Sequence, residues 1–206
     1  MAHEDDSIII DDQEDVPENR ELTEAKKKIA NYEFQISHFI TEYEKQKNLL
    51  EMELEIAKRI QMVIMPTSLD KKIPCCEAAV RTISAAEVTG DYYDIMEMPG
   101  DRIAFLVTDA VGHGIPAALL TIMAKMIISK HCTAGVLHSP SEILRVSSHE
   151  LAQYFEIGYY LTGILAILDR KTGTLAVCNA GHHPGILLDK KSGDLSLLDS
   201  KGLLIG

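Results

Sequence analysis

The chain has 206 residues, a formal net charge of −11 and 46% hydrophobic residues, with no Trp and four Phe, which suits one domain with a largely aliphatic core plus an appendage. The charge argues against sequence-independent binding to nucleic-acid phosphates. An acidic N-terminus unlike a signal peptide, and the lack of an apolar run near the ~20 residues needed to cross a bilayer, lead us to expect a cytoplasmic protein with no membrane span.

Residues 1–20 are dominated by Asp and Glu around Ile8-Ile9-Ile10. Such a segment repels itself and buries little, so it is expected to be a disordered tail. Residues 21–65 contain neither Gly nor Pro and are rich in helix formers. Within them Leu22, Ile29, Ile36, Tyr43, Leu50, Ala57 and Ile64 recur every seven residues, the mark of a coiled-coil seam. The companion position reads Ala25, Tyr32, Phe39, Gln46, Glu53 and Ile60. It turns polar in the middle, where the seam shifts toward Ile40 and Leu54, because a straight helix drifts about 20° per heptad. A parallel homodimer is the favoured expectation, and a helix folded back on its own domain is the alternative. Pro66 ends the helix.

The period changes after Asp70, and residues 70–206 read as one domain. Glu77 to Ser84, with Ala79-Val80-Arg81-Thr82-Ile83, is a strand candidate. Tyr92–Met98 and Arg102–Thr108 form a predicted hairpin about the turn Pro99-Gly100-Asp101. Ile115–His131 reads as a buried helix with Pro116 in its first turn. Ser139-Pro140-Ser141-Glu142 has the chemistry of a capped start to a second helix, running to about Phe155. Tyr159–Leu168 and Leu175–Ala180 follow as strands, then a hairpin of Gly185–Leu188 and Leu195–Leu198. Strands, two helices, then strands imply an α+β domain with mainly antiparallel sheets. Cys75, Cys76, Cys132 and Cys178 show no metal or disulfide spacing and are expected to be reduced.

Two aspartates stand out chemically. Asp109 ends the apolar run Ile103-Ala104-Phe105-Leu106-Val107 and precedes Gly112-His113-Gly114. Asp91 follows Gly90 and opens the neighbouring strand. The hairpin brings the start of one strand beside the end of the other, so both carboxylates fall at one end of the sheet. Mg²⁺ and Mn²⁺ favour such oxygen clusters. Read singly, either Asp is more simply a turn residue, and Asp94 a solvated one. His113 is either a general acid or, more simply, a residue whose hydrogen bond orders the loop. His182 and His183, being adjacent, are not assigned as ligands.

The segments Ala86-Glu87-Val88-Thr89-Gly90-Asp91-Tyr92-Tyr93-Asp94 and Thr108-Asp109-Ala110-Val111-Gly112-His113-Gly114-Ile115-Pro116-Ala117-Ala118 resemble the two leading motifs of the bacterial SpoIIE/RsbU-type phosphatases of the PPM family. Glu55–Gln61 with Met65-Pro66 resembles the helix entering that domain, and Asn179-Ala180-Gly181-His182-His183-Pro184 its central loop. The resemblance runs from about Leu54 to Gly206 and implies an α-β-β-α sandwich. It also implies a protein serine/threonine phosphatase with two Mn²⁺ or Mg²⁺ ions. Asp109 would bridge the ions and Asp91 and the Ala110 carbonyl would each ligate one. Gly90, Asp94, Gly112, His113 and Gly114 would support the loops. An activated water would attack phosphorus directly, and the substrate would be a phosphorylated regulatory protein of the anti-sigma-factor-antagonist type. Further acidic ligands of the family fall beyond Gly206, so the site and the sheet are expected to be incomplete in these residues. A phosphatase-like module that only dimerises or binds partners is the alternative.

Overall fold

A computed structural model describes residues 17–64, 76–83, 87–155, 157–199 and 202–206. The chain divides into two compact units, Met1–Glu51 and Met52–Gly206. Helix α1, Pro17–Ile64, contributes to both. It begins inside the segment expected to be a disordered tail, whose first sixteen residues lie outside the described ones. Its seam residues Leu22, Ile29, Ile36, Tyr43 and Leu50 are all exposed in the single chain.

The second unit is built on a four-stranded antiparallel sheet of order β1-β2-β3-β4. Its strands are β1 (Asp91–Met98), β2 (Arg102–Ala110), β3 (Leu161–Asp169) and β4 (Thr174–Ala180). Helices α2 (Gly114–Thr133) and α3 (Pro140–Leu151) lie between β2 and β3 in the chain. A separate hairpin pairs β5 (Gly185–Leu188) with β6 (Leu195–Leu198). The sheet alternates as a two-faced sheet must. Ala104, Leu106 and Ala110 of β2 and Leu161, Leu165 and Ile167 of β3 point to one face and are buried. They form a core with Ala117, Leu120, Ala124 and Ile128 of α2 and Ile143, Leu144 and Leu151 of α3. Ile205 joins this core, and its backbone exchanges two hydrogen bonds with Leu161, of 2.8 and 2.9 Å. The C-terminal residues thus pair with the start of β3. This architecture is the expected α+β one, with a single helical layer and a two-stranded second sheet among the described residues.

Four details differ from expectation. Residues 79–83 form no strand: β-propensity without a partner leaves Ile83 77% exposed. Helix α3 ends at Leu151 rather than near Phe155. The amides of Tyr154 and Phe155 both return to the Leu151 carbonyl, and Leu151 is the last fully buried residue of that face. Strand β3 starts at Leu161, two residues later than Tyr159. Finally, α2 has a length and composition that pass for a membrane crossing. One face of it, with Ala117, Leu120, Ala124, Ile128 and Cys132, nevertheless packs into the core, while Leu119 and Met126 are exposed. The expected cap of α3 is present: the Glu142 amide donates to Ser139 Oγ at 3.2 Å, with Pro140 in the first turn.

Candidate metal centre

The β1–β2 register pairs Asp91 directly with Asp109. Both side chains project from the sheet face opposite the helices, and both are exposed. Neither carboxylate has a hydrogen-bond or ion-pair partner among the described residues. The Asp109 carboxyl is held above its ordinary range, chiefly by partial burial and next by the Asp91 charge, while His182 and His183 oppose the shift. Two facing carboxylates without a cationic partner fit a hard divalent cation. Among the described residues, no group of three or more His, Cys, Asp or Glu side chains is assembled around one point. Among the described residues, the pair would therefore supply only part of an ion's coordination.

Gly90 makes the close approach of the two loops possible. A Cβ there would lie 2.9 Å from the Ala110 carbonyl oxygen and 3.5 Å from Asp109 Oδ1. The Ala110 amide donates to the Gly90 carbonyl at 3.0 Å, which ties the residue before Asp91 to the residue after Asp109. The turn beyond Ala110 needs glycine for a different reason, because Gly112 and Gly114 adopt φ of +92° and +73°. Between them, His113 is the extended N-cap residue of α2, exposed and without a side-chain capping bond. Asp94 lies on the opposite face of β1 from Asp91. It accepts a 2.6 Å bond from the Tyr92 hydroxyl and a 2.8 Å bond from the Ile95 amide. Burial, then that hydrogen bond, pushes the Tyr92 phenol far up. The structure therefore brings Asp91, Asp109, Gly90 and Ala110 together and sets Asp94 apart.

Three features are not evident from the motifs alone. Gln61, in the last turn of α1 and 7% exposed, clamps the backbone of Thr89. Its Nε2 donates to the Thr89 carbonyl at 2.7 Å, and its Oε1 accepts from the Thr89 amide at 3.1 Å. Thr89 Oγ1 in turn accepts from the Asp91 amide at 3.0 Å. Lys58, one turn earlier, pairs with Glu87. Thr162, the β3 partner of Asp109, bonds through Oγ1 to His182 Nδ1 at 2.9 Å. The i, i+3 spacing of Lys58 and Gln61 marks one helix face, but nothing in the sequence names their distant partners.

The family model described as Stage II sporulation protein E (SpoIIE) matches residues 99–206, which include Asp109 and leave out Asp91. The chain is 26% identical over 157 residues to phosphoserine phosphatase RsbU of Bacillus subtilis (strain 168), covering 76% of this chain and 46% of that protein. It is 29% identical over 160 residues to phosphoserine phosphatase RsbP of the same organism, covering 75% and 38%. Among solved structures, the RsbU and RsbW domains of Rv1364c from Mycobacterium tuberculosis superpose with a TM-score of 0.51 at 26% identity, covering 60% of this chain and 34% of that one. The SiaA-PP2C domain of Pseudomonas aeruginosa gives 0.60 at 22% identity, covering 78% and 63%, a likeness of fold. The chain spans less than half the length of these two curated relatives. A family match over more than half of its residues, on a sheet-and-helix frame shared with PP2C phosphatase domains, means that the chain belongs to the SpoIIE family.

Proposed function

We propose that the chain carries part of a metal-dependent protein serine/threonine phosphatase domain that acts on a phosphorylated regulatory protein in a cytoplasmic signalling pathway. The reading rests most on one observation: Asp91 and Asp109 face each other at one end of the sheet, with no ion-pair partner among the described residues. Bound there, Mn²⁺ or Mg²⁺ would supply Lewis acidity toward water and the phosphoryl oxygens. Asp109 and Asp91 would hold the ions, with the Ala110 carbonyl beside them. Gly90 admits the Ala110 carbonyl, and Gly112 and Gly114 keep the adjoining loop tight and unobstructed. Gln61 and Thr89 fix the backbone from which Asp91 projects. In this reading α1 forms a parallel homodimer through Leu22, Ile29, Ile36, Tyr43, Leu50, Ala57 and Ile64. A change in its packing reaches Asp91 through Gln61.

The test is Mn²⁺-dependent hydrolysis of a phosphoserine peptide and of p-nitrophenyl phosphate by the full chain. We expect turnover that Asp109→Asn reduces by on the order of 10²-fold or more. Full activity in that variant would refute the assignment. The second reading is a partner-binding module without catalysis. It is favoured by the absence, among the described residues, of a third metal-binding side chain near the pair. Phosphopeptide binding without turnover, in this chain and in a C-terminally extended one, would support it.

A further inference from the structure

The loop after β4 carries a histidine, His182, that three hydrogen bonds hold in place. The His182 amide donates to Asn179 Oδ1 at 2.7 Å, and its carbonyl accepts from Asn179 Nδ2 at 2.9 Å. Asn179 itself is 1% exposed. The third restraint is the 2.9 Å bond between the ring Nδ1 and Thr162 Oγ1. Because Thr162 stands opposite Asp109 in the ladder, Asp91, Asp109, Thr162 and His182 make one row across the end of the sheet. The ring lies near enough to Asp109 and Asp91 for each to act on its charge. Its Nε2 has no hydrogen-bond partner among the described residues. His183 touches the ring edge-on, with centroids 5.8 Å apart, and is exposed. His113, by contrast, is exposed and caps nothing.

Phosphoryl transfer builds charge on the oxygens of the transferring group, and positioned donors lower the barrier by meeting that charge. Two carboxylates donate nothing. Resting on the phosphatase reading above, we propose that His182 supplies one such donor. The Thr162 hydroxyl donates to Nδ1, which keeps the ring proton on Nε2, and Nε2–H donates to an oxygen of the phosphoryl group during its transfer to water. The bond from phosphorus to the seryl oxygen breaks as the bond to the water oxygen forms. One proton of that water ends on the seryl oxygen, giving serine and inorganic phosphate, and His182 keeps its own. Thr162 and Asn179 act through His182 and are positioning residues.

Imidazole nitrogen spectra of the ¹⁵N-histidine-labelled full chain, titrated with inorganic phosphate in the presence of Mg²⁺, are one arm of the test. The His182 ring should carry its proton on Nε2, Thr162→Val should mix the tautomers, and phosphate should shift the His182 Nε2 signal but not the His113 ring. Peptide hydrolysis is the other arm. His182→Ala should lower kcat on the order of 10²-fold with KM changed less than about threefold, His182→Gln should recover about tenfold, and His183→Ala should stay within about twofold. Asp109→Asn that abolishes turnover beside a fully active His182→Ala would overturn the proposal and leave the phosphatase reading standing. A bare Nε2, or a phosphate shift at His113 instead, would overturn it as well. If the chain shows no hydrolysis, the phosphatase activity fails for this chain, and the phosphate shift at His182 still decides the role of the ring.

Discussion

Two carboxylates held opposite each other in a β-ladder repel, and the folded chain bears that repulsion until a cation or a proton relieves it. Partial burial first, and the Asp91 charge second, hold the Asp109 carboxyl pKa above its ordinary range. A carboxyl that binds its proton more tightly folded than unfolded makes the folded state lose stability as pH rises through the folded pKa, with the loss complete above it. In the absence of metal, Asp109→Asn should therefore melt above the parent at neutral pH. The gap should close below about pH 3, where the carboxyl is protonated in both states. Adding Mn²⁺ should raise the parent's melting midpoint and leave the variant's in place. Thermal melts across pH check this, and a variant that melts below the parent at neutral pH would contradict it. The facing of Asp91 and Asp109 was legible in the sequence, because a tight turn at Pro99-Gly100-Asp101 fixes the register of the whole hairpin. Asp94, expected to be solvated, is instead half-buried and held by the Tyr92 hydroxyl and the Ile95 amide. The Thr162–His182 bond was not legible, since it joins residues twenty apart through a loop whose path depends on the buried Asn179.

At the scale of elements, the join between α1 and the sheet is made by Gln61. Replacing Gln61 with Leu keeps helix propensity and strands the Thr89 amide and carbonyl without partners. Leaving such groups unpaired costs about 1–3 kcal/mol. We expect a loss of that size in urea-unfolding stability, faster hydrogen exchange at the Thr89 amide and weaker Mn²⁺ binding through Asp91. Unchanged exchange at Thr89 would show that the clamp does not hold the loop. Most elements were readable because each carries its own punctuation: the Ser139-Pro140 cap, the Gly173 and Gly193 turns, the apolar run of α2. Local pattern failed where tertiary context decides. Residues 79–83 have strand composition and pair with no strand among the described residues, and Ile205 joins the core where its backbone pairs with Leu161.

For the whole molecule, the open question is what covers the exposed stripe of α1. A seam whose positions from Leu22 to Leu50 are left in water is unfavourable, and pairing with a second copy removes it at about 25 cal/mol per Å² of apolar surface buried. Leu50→Asp together with Ile64→Asp should convert a dimer to a monomer in sedimentation and change phosphatase activity at the same time. A parent chain that sediments as a monomer would exclude the coiled-coil reading, and unchanged activity in the monomeric variant would exclude signalling through α1. The proposed phosphatase function requires a cation at Asp91 and Asp109. Isothermal titration of Mn²⁺ into the full chain and into Asp91→Asn and Asp109→Asn tests it most directly. Saturable binding to the parent, weakened about tenfold or more in each variant, is the predicted result, and equal binding by all three would contradict it.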